Sequence, residues 1–505
     1  MTAIVLLLFV SSAPVAGVRW LRVAQREHYL SGEVTKFARR WWTTGRRNPL
    51  LLAVAAASAI GSAWVPWLAV ISIEAITLGP LGLSMRGRTS RLAWTRRLKT
   101  VATVSCSLLA IVIAAAIALG IGVLTIAIAG MLMPLAVDAS LLVLTPIEKR
   151  AAAKFVTSAR QRLDRVGPTR VAITGSYGKT TIKGYVRHLA GTTRTVVASP
   201  ASFNNTGGLS RTVNEMLGPD TEVFVAEMGT YGPGEIRDLC SWVRPDIAVL
   251  CNVGPVHLER FGSLDVVVTS KAEIFEDATT CIVNIDAHGL AAVAESLRTS
   301  GKIVLTCSTS RSAAADITVT SHDSTSTIDI NGFQHEVVLP SQAAGENVAC
   351  AIAVALSLDV DIETIVSLLP TIPGADHRCE VSVTPTGVTV VDDTYNSNPA
   401  GAAAALDALA AVDTGRRVVV TPGMVELGRE QAPANADFGA AAATLATDVI
   451  IVGETNKAAL TDGATRGGAT IHHVGTRNEA VEWVKANLGV GDAVLYENDL
   501  PDHYP

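Results

Sequence analysis

Residues 168–190 read PTRVAITGSYGKTTIKGYVRHLA and contain, in order, a short apolar run, a glycine loop and an amphipathic segment. The apolar run 171–174 predicts a buried strand, and Gly175 and Gly178 allow the tight backbone that a strand-to-helix loop requires. A helix that begins at Lys179 would present its N-terminal backbone N–H groups to a phosphate. The sequence therefore predicts an α/β domain with a phosphate-binding loop.

The side chains of this loop suit a nucleotide with its Mg²⁺ ion. Lys179 supplies a positive charge for the phosphates, and Thr180 supplies a hydroxyl for Mg²⁺. The standard P-loop carries a glycine five residues before Gly178, where this chain has Ile173, so the loop is a shorter variant. The nucleotide-binding residues predicted here are Gly175, Ser176, Gly178, Lys179, Thr180 and Thr181.

Charged residues are unevenly distributed along the 505-residue chain. Residues 1–150 carry 16 Lys/Arg and 5 Asp/Glu, whereas residues 151–505 carry 25 and 41, so the two net charges are +11 and −16. Charged residues are only 17% of the chain, against about 25% in soluble proteins, and the mean hydropathy is +0.35. These values exclude a disordered chain and a uniform globular one. They predict a basic membrane region followed by an acidic soluble part. The negative charge of the soluble part disfavours nucleic acid as a partner.

The seven cysteines are scattered and include no CxxC pair. This pattern excludes a disulfide scaffold and is typical of reduced cytosolic thiols, most of them buried as small apolar residues.

The apolar runs of residues 1–150 predict about five transmembrane helices. Residues 2–18 lack charge and all nearby charge follows them, which favours an uncleaved first span over a signal peptide. Residues 50–83 and 101–145 are each too long for one span of about 20 residues and are roughly the right length for two short spans. Pro66 and the Gly120–Gly122 segment are the expected turning points.

The basic loops orient these spans. Residues 19–47 and 84–99 are rich in Arg and Lys, and the positive-inside rule places both in the cytoplasm. The N-terminus then lies outside, and the soluble part lies in the cytoplasm, attached to a multi-pass plasma-membrane region. Glu74 and Asp138 fall within apolar stretches, where acids are functional candidates by default unless they lie at the interface.

Further along, apolar runs at 417–421, 448–452 and 492–496 alternate with alanine-rich segments such as 434–446. This alternation predicts an α/β sheet of Rossmann type, although no GxGxxG motif follows a strand. Residues 311–340 are rich in Ser and Thr with alternating apolar positions, which predicts antiparallel strands at the edge of the central domain.

A series of short motifs across residues 165–500 resembles the Mur ligase family, and the last two motifs are most similar to its D-alanyl-D-alanine-adding branch. The motifs are, in order, TGSYGKTT at 174–181, NNTGG at 204–208, EMG at 227–229, NVG at 252–254, HL at 257–258, FGS at 261–263, SKAEI at 270–274, NID at 284–286, GEN at 345–347, HR at 377–378, DDTYNSNP at 392–399 and GMVELG at 423–428.

After the membrane region, assigned to residues 1–150, the resemblance implies a P-loop-type central ATP-binding domain at 151–373 and a Rossmann-like C-terminal domain at 374–505. It also implies an ATP-dependent amide ligase that forms an acyl phosphate and releases ADP. Such an enzyme phosphorylates a carboxylate, a poor electrophile, before an amine attacks it, and it works mainly by positioning and charge neutralisation. Closure around Pro373–Gly374 would exclude water from the acyl phosphate.

The resemblance also assigns residue roles. Lys179 would contact the β- and γ-phosphates, and two Mg²⁺ ions are expected, one held by Thr180 and Glu227 and one by His257 and a carbamate on Lys271. A carbamate is an oxygen ligand, which Mg²⁺ prefers. The remaining assignments are Asn347 to adenine, Asp393 to ribose, Arg378 to the γ-phosphate, and Asn205, Thr206, Tyr395, Asn396 and Asn398 to the substrates.

Structural explanations for these residues stay open at this point. Glu227 can be a solvated acid at a strand end, His257 a capping or core histidine and Lys271 a surface lysine. The asparagines of the 395–398 segment can equally cap a loop.

The main departure from the family is at the N-terminus. Mur ligases normally begin with a small domain that holds the UDP-sugar of their substrate, and membrane spans are expected in its place here. The acceptor carboxylate can therefore belong to a lipid-linked or a UDP-linked peptide precursor. The donor would be an amino acid or a dipeptide. The alternatives are a polyglutamate or natural-product amide synthetase and a non-catalytic membrane scaffold. A transporter ATPase is disfavoured because no signature motif is present.

Reporter fusions test the five-span topology. We expect reporters fused after residues 47, 66, 95 and 121 to lie inside, outside, inside and outside the cell, because the basic loops stay in the cytoplasm. Alkaline phosphatase and fluorescent-protein activities of the fusions measure this. A cytoplasmic signal at 66 or 121 would contradict five spans without affecting the ligase hypothesis.

Overall fold

The computed structural model describes residues 1–505 except 86, 88–91, 201–202, 256–257, 312–313, 323–324, 341–342, 374–379, 395–397, 414, 501–502 and 505, and except the side chain of residue 322. The described residues form an N-terminal helical region, a central α/β domain and a C-terminal α/β domain.

The N-terminal region is helical throughout its apolar runs, since a helix satisfies its own backbone hydrogen bonds where water is absent. Its helices are α1 (Thr2–Arg26), α2 (Glu33–Thr43), α3 (Arg47–Gly61), α4 (Leu68–Leu78), α5 (Arg96–Ala118), α6 (Gly122–Ala129) and α7 (Met133–Val166).

Among the described residues, α1 and α5 are long and apolar enough to cross a membrane, and the pair α6–α7, bent by 80°, would add a third crossing. The chain turns at Pro66 between α3 and α4, and at Gly120 between α5 and α6, as expected. Helices α3 and α4 have 15 and 11 residues, fewer than the about 20 of a full span. The count of five spans stays a prediction.

Asp138, one of the two acids within the apolar stretches, anchors α2. Its buried carboxylate accepts hydrogen bonds from the backbone N–H groups of Gly32, Val34 and Thr35 at 2.9, 3.3 and 2.7 Å and from the Thr35 hydroxyl at 2.5 Å. These groups begin α2, so Asp138 caps the helix from α7. The structure thus gives Asp138 a structural role, whereas Glu74 lies exposed on α4.

Helix α7 connects the helical region directly to the central domain. It runs without a break across residue 150, and its end packs Ala159 and Leu163 into the core of the central domain. Arg162 donates to the carbonyl oxygens of Leu217 and Asn214 at 2.7 and 2.9 Å. Gly167, at φ +68°, then ends the helix.

The central domain is a mixed sheet covered by helices. The described strands follow the order β2-β3-β1-β4-β5-β6-β7-β8-β9, parallel as far as β7 and antiparallel from β7 to β9. The antiparallel edge confirms the interpretation of residues 311–340. The elements are β1 (Thr169–Thr174), α8 (Lys179–Ala190), β2 (Val196–Ala198), α9 (Thr206–Met216), β3 (Val223–Glu227), α10 (Glu235–Val243), β4 (Ile247–Leu250), α11 (Leu258–Phe261), α12 (Leu264–Ala272), a 3₁₀ turn (Glu273–Phe275), β5 (Thr280–Asn284), α13 (Leu290–Thr299), β6 (Ile303–Ser308), β7 (Ile317–His322), β8 (Thr325–Ile330), β9 (Phe333–Val337), α14 (Gly345–Ser357), α15 (Ile362–Leu368) and a 3₁₀ turn (Leu369–Thr371).

The C-terminal domain is a second α/β sheet, with the described strands in the order β10-β11-β15-β12-β13-β14 and only β10 antiparallel. The expected strands 417–421 and 448–452 are present with those bounds, and the third is shifted by one residue. The elements are β10 (Glu380–Val383), β11 (Thr389–Asp393), α16 (Pro399–Ala410), β12 (Arg417–Thr421), a 3₁₀ turn (Gly428–Glu430), α17 (Gln431–Leu445), β13 (Asp448–Val452), α18 (Lys457–Ala464), β14 (Thr470–Val474), α19 (Arg477–Asn487) and β15 (Ala493–Glu497).

The C-terminal tail returns to the helical region. The indole N–H of Trp41 in α2 donates to the carbonyl oxygen of His503 at 2.7 Å. The His503 ring nitrogen Nε2 lies 2.7 Å from Oε1 of Glu27, and Arg260 of the central domain lies 2.9 Å from the other oxygen of Glu27. One buried carboxylate therefore joins the three parts of the molecule.

Removal of the α2 cap should loosen this helix. Asp138→Ala deletes the acceptor of four hydrogen bonds, and each buried donor left without a partner costs about 1–3 kcal/mol. We therefore expect a thermal midpoint in detergent at least several degrees below that of the unsubstituted protein, and faster trypsin cleavage at the basic residues of α2. Asp407→Ala, at an exposed position of α16, is the matched control. Equal cleavage of both variants would contradict the capping role.

Candidate functional site

The site is built on the loop between β1 and α8. Gly178 has φ +81°, and a Cβ there would lie 2.2 Å from Oδ1 of Asn347, at the start of α14. A Cβ on Gly175 would lie 2.3 Å from the Cys251 sulfur. Both glycines are therefore favoured by the packing around them, and Asn347 lies against the loop.

The loop is also tied to the segment after β4. The Ser176 backbone N–H donates to the Asn252 carbonyl oxygen at 2.8 Å, and its hydroxyl lies 3.2 and 3.0 Å from the carbonyl oxygen and the nitrogen of Gly254. The carboxyl ends of β1 and β4 thus meet at this loop, which is where ligands bind in parallel sheets.

Two lysines donate to the same carbonyl oxygen of the loop. Lys179 Nζ lies 2.7 Å from the Gly175 oxygen and 3.2 Å from that of Ser176. Lys271 Nζ lies 3.0 Å from the Gly175 oxygen. Lysines 179 and 271, which are 92 positions apart in the sequence, are therefore neighbours in this site.

Lys271 is buried, which excludes the surface-lysine explanation. Burial in the protein interior, together with the positive charge of Lys179, lowers its pKa to about 7. Near neutral pH a substantial fraction of this amine is therefore uncharged and nucleophilic.

Glu227, at the carboxyl end of β3, is 1% exposed and therefore not a solvated strand-end acid. Its Oε2 accepts a hydrogen bond from the Thr180 hydroxyl at 2.9 Å and lies 2.8 Å from Nζ of Lys183. Its Oε1 lies 3.4 Å from Nδ2 of Asn204. The Lys183 ammonium compensates the buried charge of Glu227.

The sequence reasoning missed Lys183. The signal was present, because a lysine four positions after Lys179 lies on the same side of α8. Asn204 was missed as well, since its neighbour Asn205 was selected from the same motif.

The donor chemistry at Thr180 and Glu227 fits Mg²⁺. Mg²⁺ prefers oxygen ligands and usually takes only one or two carboxylates together with substrate phosphates. Within the described residues, no three His, Cys, Asp or Glu side chains cluster as a complete metal site. A site completed by nucleotide phosphates is consistent with this pair of oxygen donors.

The remaining predicted residues are distributed between the domains. Thr181 lies half-buried in the first turn of α8, and Thr206 begins α9 on the surface. Asn205 and Asn398 cap α9 and α16, accepting from Gly208 N at 3.0 Å and Gly401 N at 2.9 Å.

Asp393, 6% exposed, ends β11 in the C-terminal domain. His257, Arg378, Tyr395 and Asn396 lie outside the described residues. The substrate and nucleotide roles of all these side chains stay predictions.

Comparison with known proteins extends the resemblance over both α/β domains. Residues 173–355 match the Mur ligase middle domain, and residues 377–496 match the Mur ligase glutamate ligase domain. The UDP-N-acetylmuramoyl-tripeptide–D-alanyl-D-alanine ligase of Mycobacterium tuberculosis (strain ATCC 25618 / H37Rv) is 30% identical over 372 residues, covering 68% of this chain and 70% of its own length. The ligase of the same name from Bacillus subtilis (strain 168) is 27% identical over 348 residues, covering 67% and 75%.

Solved structures show the same fold. A crystal structure of MurF from Acinetobacter baumannii superimposes with a TM-score of 0.60 at 23% identity, covering 69% of this chain and 77% of that one. MurF from Thermotoga maritima in complex with ADP gives a TM-score of 0.57 at 24% identity, covering 69% and 80%. The family matches begin at residue 173, so the helical region lies outside them.

Proposed function

Because the chain belongs to the Mur ligase family and is an ATP-dependent amide ligase, we propose that it joins an amino acid or dipeptide to a carboxylate of a cell-wall peptide precursor at the membrane. The observation that carries this proposal is the convergence of Lys179, Lys271 and the Thr180–Glu227 pair on one glycine loop. We further propose that this loop is a variant P-loop and that the C-terminal sheet is of Rossmann type.

In the proposed reaction, an acceptor carboxylate oxygen attacks the γ-phosphorus of ATP, and ADP leaves. The amine of the donor then attacks the acyl carbon, phosphate leaves, and the amine proton passes to solvent or to a nearby base. Lys179 would exchange its carbonyl partners Gly175 and Ser176 for the β- and γ-phosphate oxygens, which neutralises their charge. Mg²⁺ bound by Thr180 and Glu227 would supply further positive charge to the phosphates.

Lys183 acts in this proposal as a positioning residue. Its ammonium lies 2.8 Å from Oε2 of Glu227 and orients this carboxylate toward the Thr180 hydroxyl. Since both groups are buried, loss of either one would leave an uncompensated charge beside the nucleotide.

We also propose that Lys271 carries a carbamate that binds a second Mg²⁺ together with His257. Carbamate formation requires a neutral amine, and a buried lysine with a pKa of about 7 meets that requirement near neutral pH. The product is an oxygen ligand, as Mg²⁺ prefers.

The C-terminal domain would close over the nucleotide by rotation near Pro373–Gly374. Arg378 would then reach the γ-phosphate and Asp393 the ribose, while Asn347 contacts adenine from the central domain. Asn205, Thr206, Tyr395, Asn396 and Asn398 are the proposed substrate contacts. Closure would protect the acyl phosphate from water.

The acceptor is proposed to be lipid-linked. The named relatives act on a UDP-linked tripeptide, but their similarity to this chain covers the soluble domains and not the helical region. Two helices able to span a membrane precede those domains, and α7 runs unbroken from the helical region into the central domain. A multi-pass plasma-membrane location with cytoplasmic catalytic domains would bring the site to a membrane-attached substrate.

Lys179→Ala tests the ligase function at this site. We expect ATP-dependent product formation to fall by at least about 100-fold, the usual effect of removing one charge-stabilising donor. ADP release and product mass are measured with D-alanyl-D-alanine or single amino acids as donors and with UDP-linked or lipid-linked muropeptides as acceptors. Lys485→Ala, on the exposed side of α19, is the control and should remain active. Normal turnover by Lys179→Ala would contradict the proposal.

Substitutions of Lys271 test the carbamate. Lys271→Ala should be nearly inactive and partly restored by acetate, which can occupy the vacated ligand position. Lys271→Arg should stay inactive, because a guanidinium does not take up CO₂ and remains positive.

Bicarbonate should stimulate the unsubstituted enzyme above pH 7 and progressively less below it, because acid protonates an amine whose pKa is about 7. Carbon-13 NMR with labelled bicarbonate detects the carbamate on Lys271 directly. An active Lys271→Arg variant would exclude the carbamate while leaving the fold assignment intact.

A further inference from the structure

A cavity of about 1030 Å³ lies between the helical region and the C-terminal domain. One wall is the turn from α2 to α3, which includes Arg46 and Arg47. This volume is at the upper end of the range of roughly 300–1,000 Å³ that small-molecule sites occupy. The cavity is therefore large enough for the polar head of a sizeable substrate.

The opposite wall is the carboxyl edge of the C-terminal sheet. Residues at or just after the ends of β12, β13, β14 and β15 line it, together with the start of α19. Crevices at the carboxyl ends of parallel strands are the usual ligand sites of open α/β sheets. The same edge carries Asp393 at the end of β11, the strand next to β15.

The cavity is lined by more uncompensated positive charge than negative charge. Its two acids already have partners, Asp499 with Arg477 at 2.6 Å and Glu454 with Lys457 at 3.0 Å. Arg46 and Arg47 are exposed, and their guanidinium groups form no hydrogen bond or ion pair with any described residue. Guanidinium groups match phosphate oxygens in geometry and charge.

The position of these arginines relates the cavity to the membrane. Arg47 is the first residue of α3, whose following residues 49–57 are all apolar. Basic residues at the end of an apolar helix lie at the level of lipid phosphates. A substrate anchored in the bilayer would thus bring its phosphate to Arg46 and Arg47 and extend its polar part toward the strand ends.

We infer that this cavity binds the phosphate-bearing end of the acceptor substrate, with Arg46 and Arg47 as its phosphate contacts. This inference rests on the proposed function. The group that this cavity would bind is a diphosphate, which can be attached either to a polyprenyl lipid or to a nucleoside.

Binding to the full-length protein in phosphatidylcholine nanodiscs tests the inference without requiring turnover. The probes are a polyprenyl diphosphate incorporated in the nanodisc and UDP in solution. For the double variant Arg46→Ala/Arg47→Ala we expect the Kd of the polyprenyl diphosphate to rise at least about tenfold, the effect of losing a charge-assisted contact. Arg46→Lys/Arg47→Lys should retain part of the affinity, because it keeps the charge without the planar fork.

The matched control is Arg96→Ala/Lys99→Ala. These residues are exposed cations at the start of the apolar helix α5 and do not line the cavity. An equal loss of affinity for the polyprenyl diphosphate in both double variants would reveal a general surface-charge effect and contradict the proposed site. If only UDP binding depends on Arg46 and Arg47, the phosphate site stands and the acceptor is nucleotide-linked. If neither probe depends on them, the inference is wrong.

Turnover separates this inference from the proposed function. With an active acceptor, the arginine variants should raise KM for the acceptor at least about tenfold while kcat and the KM for ATP change little, because the reacting atoms lie elsewhere. An unchanged acceptor KM in an active enzyme would overturn the inference alone. Absence of ligation with every acceptor, together with arginine-dependent probe binding, would overturn the proposed function alone.

Discussion

The carboxylate of Glu27 holds the three parts of this molecule together. It lies 5% exposed at the end of α1, accepts from Arg260 of the central domain at 2.9 Å, and lies 2.7 Å from the ring of His503 in the C-terminal tail. Burial of a charge is tolerated only when it is paired and hydrogen-bonded. These partners belong to different domains, so the pairing requirement fixes how the helical region, the central domain and the C-terminal domain face one another.

The glycine loop and the cavity beside Arg46 and Arg47 are both connected to that arrangement. Arg260 lies in α11, a few positions after Asn252 and Gly254, whose backbones are hydrogen-bonded to Ser176 of the glycine loop. The ion pair of Glu27 with Arg260 is therefore close in sequence to the glycine loop. The tail that carries His503 also forms part of the cavity beside Arg46 and Arg47. The geometry that positions the glycine loop therefore also creates the space between the C-terminal sheet and the helical region.

Local patterns predicted the elements well and tertiary contacts poorly. The apolar runs gave β12 and β13 with the observed bounds, and the glycine spacing gave the loop and the start of α8, because these features depend on neighbouring residues. No periodicity indicates that Lys271 and Lys179 donate to the same carbonyl oxygen, that of Gly175.

The contacts that the sequence did not reveal join distant positions. Trp41 meets His503 across 462 positions, and Asp138 caps a helix that begins more than 100 positions earlier. Such pairs leave no local signal, because burial and hydrogen bonding arise only after the chain has folded.

The division of charge along the chain becomes understandable in this arrangement. Residues 151–505 carry a net −16, whereas residues 1–150 carry a net +11. Basic residues of the N-terminal region meet an acid of the central domain, since Lys36 and Arg40 both reach Glu259 at 3.3 Å. In the part of the chain that the structure describes, Arg46 and Arg47, which follow α2, have no such partner. Some basic residues therefore bind the acidic central domain to the helical region, whereas Arg46 and Arg47 are the ones proposed to bind an anionic substrate.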